Sequence, residues 1–332
     1  MWATPDGVRA WGKHAHGSPL YAHLVEVIAG DEELMRVLNR IEHLPQVNLL
    51  VGGVHYLLMS GVDPGLAAWY PSLVDDPAPV EQIDPVFRSF VLEHEEKLVE
   101  LGKTRYTQTN ECRRCIALLP AVMTAPFENF HLVEIGASAG LNLALDRYQY
   151  RFGGLEWGPK STVVLEGDWR GTRVPLHDIE VLSRTGLDLN PILPGDHDAQ
   201  RWLDALIWPE HSERRARLRH GLALVAGLGL EMITGDALET LPGVLARFPS
   251  GEPVVVMNAF TLGQFTLEGR ERVEEICDIA RASRPVYRMS MEVLDKEDDW
   301  AQLSVASEGA LVTIGQAHPH GEWVELWDQA RP

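Results

Sequence analysis

Three cysteines in 332 residues are too few for a disulfide framework. Cys112 and Cys115 form a C-x-x-C in ECRRC, but no second Cys/His pair of comparable spacing accompanies them, and a structural zinc normally takes four ligands. Packed thiols beside a helical turn are expected there, and no metal. Positive charge is also scarce: 29 Lys and Arg against 48 Asp and Glu leave a formal net charge of -19. A nucleic-acid groove as the main surface is excluded, because neutralising phosphates needs a basic face. The local clusters Arg105, Arg113, Arg114 and Arg214, Arg215, Arg217, Arg219 read as solvated helix faces. No run approaches the ~18 apolar residues of a membrane span, and MWATPDGVRAWGKHAHG lacks the apolar stretch of a signal peptide. A cytoplasmic protein with no membrane partner is the expectation.

What is present suffices for a large core, since 45% of the residues are hydrophobic. From Ser18 to about Met123 the apolar spacing is helical, with no convincing strand. Leu20, Leu24, Val27 and Ile28, then Leu34, Val37, Leu38 and Ile41, form a stripe interrupted near Gly30 and Pro45. Val47 to Met59 is apolar nearly all round and predicts a buried helix in which His55 is a hydrogen-bonded core imidazole. Pro71 to Pro85 is a proline-punctuated connection, after which Phe87, Phe90, Val91, His94 and Leu98 return to helical spacing. In TRYTQTNECRRCIALLPAV, Thr109 or Asn110 can cap a helix, and Arg105, Gln108, Asn110, Glu111 and Arg114 crowd polar groups together. Residues 1–125 are thus expected to be a helical region serving as a lid and acceptor-binding wall.

The pattern changes at His131 to Leu145, HLVEIGASAGLNLAL: a buried strand ending in Glu134, a turn framed by Gly136 and Gly140, and an apolar helix. Amides at such a helix start favour an anionic ligand group. Alternating strands and helices follow, with Asp188 after the next strand, Asp236 after a third and Asn258 after a fourth. A small β insertion is expected at about 150–175, and an antiparallel hairpin around HPHGE. These elements predict an α/β domain over 126–332, a doubly wound, mostly parallel sheet whose strand ends gather polar groups at one edge.

This succession resembles the S-adenosylmethionine-dependent methyltransferases over roughly residues 130–332. The resemblance implies a Rossmann-like fold and that cofactor, with Glu134, Gly136, Ser138 and Gly140 at its methionine end, Asp188 on the ribose and Asp236 near the adenine. Asn258, Asn110, Gln108 and Arg114, with Phe260, would face an unknown small-molecule acceptor, and Arg105 or Arg114 could pair with a carboxylate on it. The family's loop usually has a middle glycine where this chain has Ala137, Ser138 and Ala139. The same residues also read as G-x-S-x-G, the nucleophile elbow of α/β-hydrolase serine esterases, with Ser138 attacking and Asp236 and His318 or His320 behind it. A third reading keeps the adenosyl ligand without catalysis. At whole-chain level SPLY, NLL, QTNE, EIGASAGLNL, GLDLNP and GDA resemble an uncharacterised bacterial domain-of-unknown-function family, which implies no reaction.

Overall fold

Proline and short polar side chains start the amino-terminal helices. In Pro19–Gly30 the proline takes the first position and the Ser18 hydroxyl accepts from Tyr21 N at 3.2 Å. In Glu32–Leu38 the Asp31 carboxylate accepts from Glu33 N and Leu34 N. The computed structural model describes residues 3–13, 17–108, 110–293 and 299–328, so the expected cap at Thr109 lies outside the described residues. The chain forms two compact units, Met1–Thr109 with Asp196–Ala216, and Asn110–Gly195 with Arg217–Pro332.

The first unit is helical, with no strand among its described residues. Leu20, Leu24, Ile28, Leu34, Val37 and Leu38 are buried with Gln46–Met59 and Trp202 in one core. His55 is fully enclosed: Nδ1 meets the Ala205 carbonyl at 3.0 Å and Nε2 the Ser72 hydroxyl at 2.8 Å. A carbonyl only accepts, so Nδ1 carries the proton. Burial, then the nearby Arg215, lower this imidazole to about 4, against the Ala205 bond. The helical spacing from Phe87 to Leu98 is carried by two helices, Asp84–Glu93 and Glu95–Thr104. One expectation needs correction. Arg215 is not on a solvated face; it is 4% exposed and donates from Nε to Asp204 at 2.7 Å.

In the second unit the strands are β1 (Asn129–Ile135), β2 (Gln149–Phe152), β3 (Leu155–Trp157), β4 (Val164–Glu166), β5 (Asp168–Gly171), β6 (Glu180–Asp188), β7 (Glu231–Thr234), β8 (Val254–Ala259), β9 (Val286–Glu292), β10 (Ala301–Ala306), β11 (Val312–Ala317) and β12 (Trp323–Leu326). Nine form one sheet, in the order β5-β12-β11-β10-β9-β8-β1-β6-β7, and β3-β2-β4 form the small inserted sheet. From β7 to β9 every pairing is parallel, from β9 to β12 antiparallel, and β5 of the insertion joins β12 at the far edge. The architecture is therefore mixed α/β with a large, mostly parallel sheet. β8 is buried along its whole length and β1 at all but its first residue, which is why both read as apolar runs.

The apolar helix expected after Gly140 does not form; there is only a 3₁₀ turn at Asn142–Ala144. Side chains have taken the carbonyls that a helix would need. Tyr148 Oη donates to Leu141 O at 2.6 Å, Arg184 Nη1 to Leu143 O at 2.5 Å, and Tyr150 Oη to Leu145 O at 2.5 Å. Arg184 also forms a bidentate pair with Asp146, both bonds 2.7 Å.

Candidate functional site

The order of the parallel strands reverses between β1 and β8: the chain adds β6 and β7 on one side and β8 and β9 on the other. Ligands of open α/β sheets bind at the carboxyl ends of the strands beside such a switch point. There the turn after β1 is held to β6. Gly136 N and Ala137 N donate to Leu187 O at 2.7 and 3.2 Å, and Ser138 N donates to Asp188 Oδ2 at 2.8 Å. Asn190 N takes Asp188 Oδ1 at 2.7 Å, and Gly140 N closes the turn on Ala137 O at 2.7 Å. The next strand end joins through Gly235 N to Asp188 O at 3.0 Å, beside Asp236, which caps Ala237–Arg247 by accepting from Leu238 N at 2.8 Å. Glu134, Gly136, Ser138, Gly140, Asp188 and Asp236 thus share one edge of the sheet. The expected cradle of amides at a helix start does not form: only a 3₁₀ turn follows, and the amides of Gly136, Ala137, Ser138 and Gly140 are spent within the protein.

Gly136 needs its missing side chain. Its φ is +75°, and a Cβ would stand 2.0 Å from Thr261 Oγ1 in the loop after β8. The turns ending the two strands at the switch point therefore touch.

Glu134 is 1% exposed. Oε1 accepts from Asn142 Nδ2 at 2.7 Å, whereas Oε2 has no partner among the described residues. Burial pushes this carboxyl up to about 8; the Asn142 bond and Arg114 oppose the rise and Asp188 adds to it. Asn142 Oδ1 in turn receives the Cys115 thiol at 3.6 Å. Cys112 and Cys115 are both buried, and burial raises both thiols. Among the described residues no group of three His, Cys, Asp or Glu could hold a metal ion. Arg114 lies 4.2 Å over the Phe260 ring and donates from Nε to Pro319 O at 3.1 Å.

A family model described as an uncharacterised protein conserved in bacteria (DUF2332) matches residues 8–327. The chain belongs to this family. No curated protein and no solved structure matches it. DUF2332 as described carries no reaction, and the matched span includes every strand of the sheet.

The remaining candidate positions of this DUF2332 chain are placed as follows. Asn258 is fully buried at the end of β8, and its amide is engaged on all sides: Nδ2 donates to Ser290 Oγ at 3.1 Å and Glu292 Oε1 at 2.5 Å, and Oδ1 accepts from Arg288 Nη2 at 2.5 Å. Glu292 also accepts from Thr261 N, Leu262 N and Gly263 N at 2.8, 2.9 and 3.1 Å, fixing the loop after β8. Asn110 opens the second unit's sequence, whereas Gln108 and Arg105 belong to the first. Arg105 there pairs with Asp198. Asn142 and Glu292 escaped the sequence reading. Their signals were a polar residue inside GLNLAL and an acid ending the strand VYRMSME.

Proposed function

We propose that this DUF2332 protein is an S-adenosylmethionine-dependent methyltransferase for a small-molecule acceptor, with the ligand across the carboxyl ends of β1, β6 and β7. One arrangement carries the reading: beside the switch point, Asp188 is bonded both to the Ser138 turn and to the strand end that leads into Asp236. The donor set suits an adenosyl amino acid. Asp188 spends one acceptor site on each oxygen on a backbone amide, and a carboxylate has about four such sites, so both oxygens keep capacity for ribose hydroxyls. Asp236 is exposed and can accept from an adenine amine. Glu134 Oε2, buried and without a hydrogen-bond partner among the described residues, suits the ammonium of the amino-acid end.

When bound, the cofactor supplies an electrophilic methyl group. The protein's part is to align donor and acceptor and to exclude water. Arg114, over the Phe260 ring, would be the cation that faces an acidic acceptor. Asn258 acts as a positioning residue through Glu292, which orders the loop carrying Thr261.

Calorimetric titration with S-adenosylmethionine, followed by assay of S-adenosylhomocysteine release over a panel of small acceptors, tests the reading. Asp188→Asn should weaken binding by about tenfold, as expected for one lost charged hydrogen bond, with an unchanged circular dichroism spectrum. Unaltered affinity rejects the ribose assignment. Binding without turnover would make the chain an adenosyl-ligand-binding protein. A serine esterase is not favoured: among the described residues Ser138 Oγ has no base bonded to it, and only a 3₁₀ turn follows.

A further inference from the structure

Ser138 combines two costs that glycine would avoid. Its φ is +50°, in the left-handed region that disfavours a side chain. Its hydroxyl, on a residue 8% exposed, has no hydrogen-bond partner among the described residues. Among those residues the only other non-glycine with positive φ is Phe260, at +58°. The two strained positions follow β1 and β8, the strands flanking the switch point, and such strain collects at ligand-binding places.

The surroundings show why a hydroxyl is needed at 138. A glycine turn ordinarily offers a ligand its own amides. Here Gly136, Ala137, Ser138 and Gly140 have given theirs to Leu187 O, Asp188 Oδ2 and Ala137 O. The turn is rigid but has lost those donors. The Ser138 hydroxyl restores one, from a backbone fixed on both sides: N on Asp188, and O accepting from Ile192 N at 2.9 Å.

We propose that Ser138 is a specificity-determining ligand residue whose hydroxyl donates to the carboxylate of a bound adenosyl amino acid, in place of the spent turn amides. This rests on the adenosyl reading of the same edge. Among the described residues the hydroxyl has no other acceptor, and its cost to the unliganded fold is recovered on binding. The ligand class is accordingly narrowed to molecules with a carboxylate at the end remote from the adenine.

The test separates stability from recognition. Ser138→Gly relieves both the backbone strain and the stranded hydroxyl, and it should raise the Tm of the ligand-free protein by about 2 °C or more. Ser138→Ala relieves the hydroxyl alone, so its rise should be smaller. In calorimetry both variants should bind S-adenosylhomocysteine about tenfold more weakly. Binding of 5′-methylthioadenosine, which lacks the amino-acid end, should stay unchanged. A Ser138→Gly protein that melts at or below the wild-type temperature overturns the proposal. So does equal weakening toward both ligands, or labelling of Ser138 by a fluorophosphonate, which would make it a nucleophile. If the wild-type chain binds neither adenosyl compound, the adenosyl reading fails. The ligand-free melting order then still decides whether the hydroxyl is held in reserve.

Discussion

A carboxyl group enclosed as fully as that of Glu134 makes stability depend on pH in a predictable direction. Its folded value, pushed up to about 8, lies above the 4.5 of an ordinary glutamate. Between those values the folded state binds more protons than the unfolded one, so this group's contribution falls as pH rises from about 4.5 to about 8 and is flat beyond. Glu134→Gln removes the titration while keeping an acceptor for Asn142. The variant should match wild type near pH 4.5 and exceed it above pH 8, by about 5 kcal/mol at the very most. Parallel melting curves across that range check this, and a constant difference between the two proteins would refute it. His55 runs the other way. Lowered to about 4, it leaves the folded state short of a proton relative to the unfolded chain, so stability is lost as pH falls from about 6.5 toward 4. His55→Gln should flatten that acid limb. The strand-end acids Glu134 and Asp188 were legible from the sequence because each closes a strand-like stretch and precedes a turn. Which group each carboxylate bonds was not legible, since no spacing rule ties Ser138 to Asp188 or Asn142 to Glu134.

The stretch after Gly140 shows how an element can be misread from pattern alone. GLNLALDRY has helical spacing and good helix formers, yet its carbonyls bond to Tyr148, Tyr150 and Arg184 instead of to amides four residues on. Long-range side chains outcompeted local propensity. The buried pair of Arg184 and Asp146 anchors this arrangement, with relative exposures of 7% and 9%. Asp146→Ala strands a buried guanidinium and should cost about 3–5 kcal/mol in urea unfolding, whereas Asp146→Leu with Arg184→Met should cost much less. Additive losses would show that the pair is not coupled. The strands themselves were easier to read. β8 is almost wholly apolar because the sheet buries it, β1 and β9 carry apolar residues between buried polar ones, and β11 and β12 were expected as a hairpin. β10 went unnoticed because AQLSVA is short and interrupted by Gln302 and Ser304.

For the molecule as a whole, the formal charge of -19 and a pI near 5.1 oppose any polyanion. Duplex DNA should show no anisotropy change with this protein at about 0.15 M salt; measurable binding would reveal a basic surface that the composition hides. No helix among the described residues is long and apolar enough to cross a membrane. Composition foretold the charge, and periodicity separated a helical region from a sheet. Neither foretold that the helical unit is discontinuous, because the residues that complete it lie beyond six strands and a helix of the other unit. Trp202 joins the first unit's core, its indole donates to Tyr106 O at 2.9 Å, and Ala205 O holds His55.

That borrowing has a consequence for synthesis. The helices up to residue 109 emerge from the ribosome without the segment Asp196–Ala216 that closes their core. At ~5–20 residues per second, the intervening stretch delays its arrival by several seconds. During that interval the nascent amino-terminal helices lack Trp202, so their core closes only after the segment ending at Ala216 has been made.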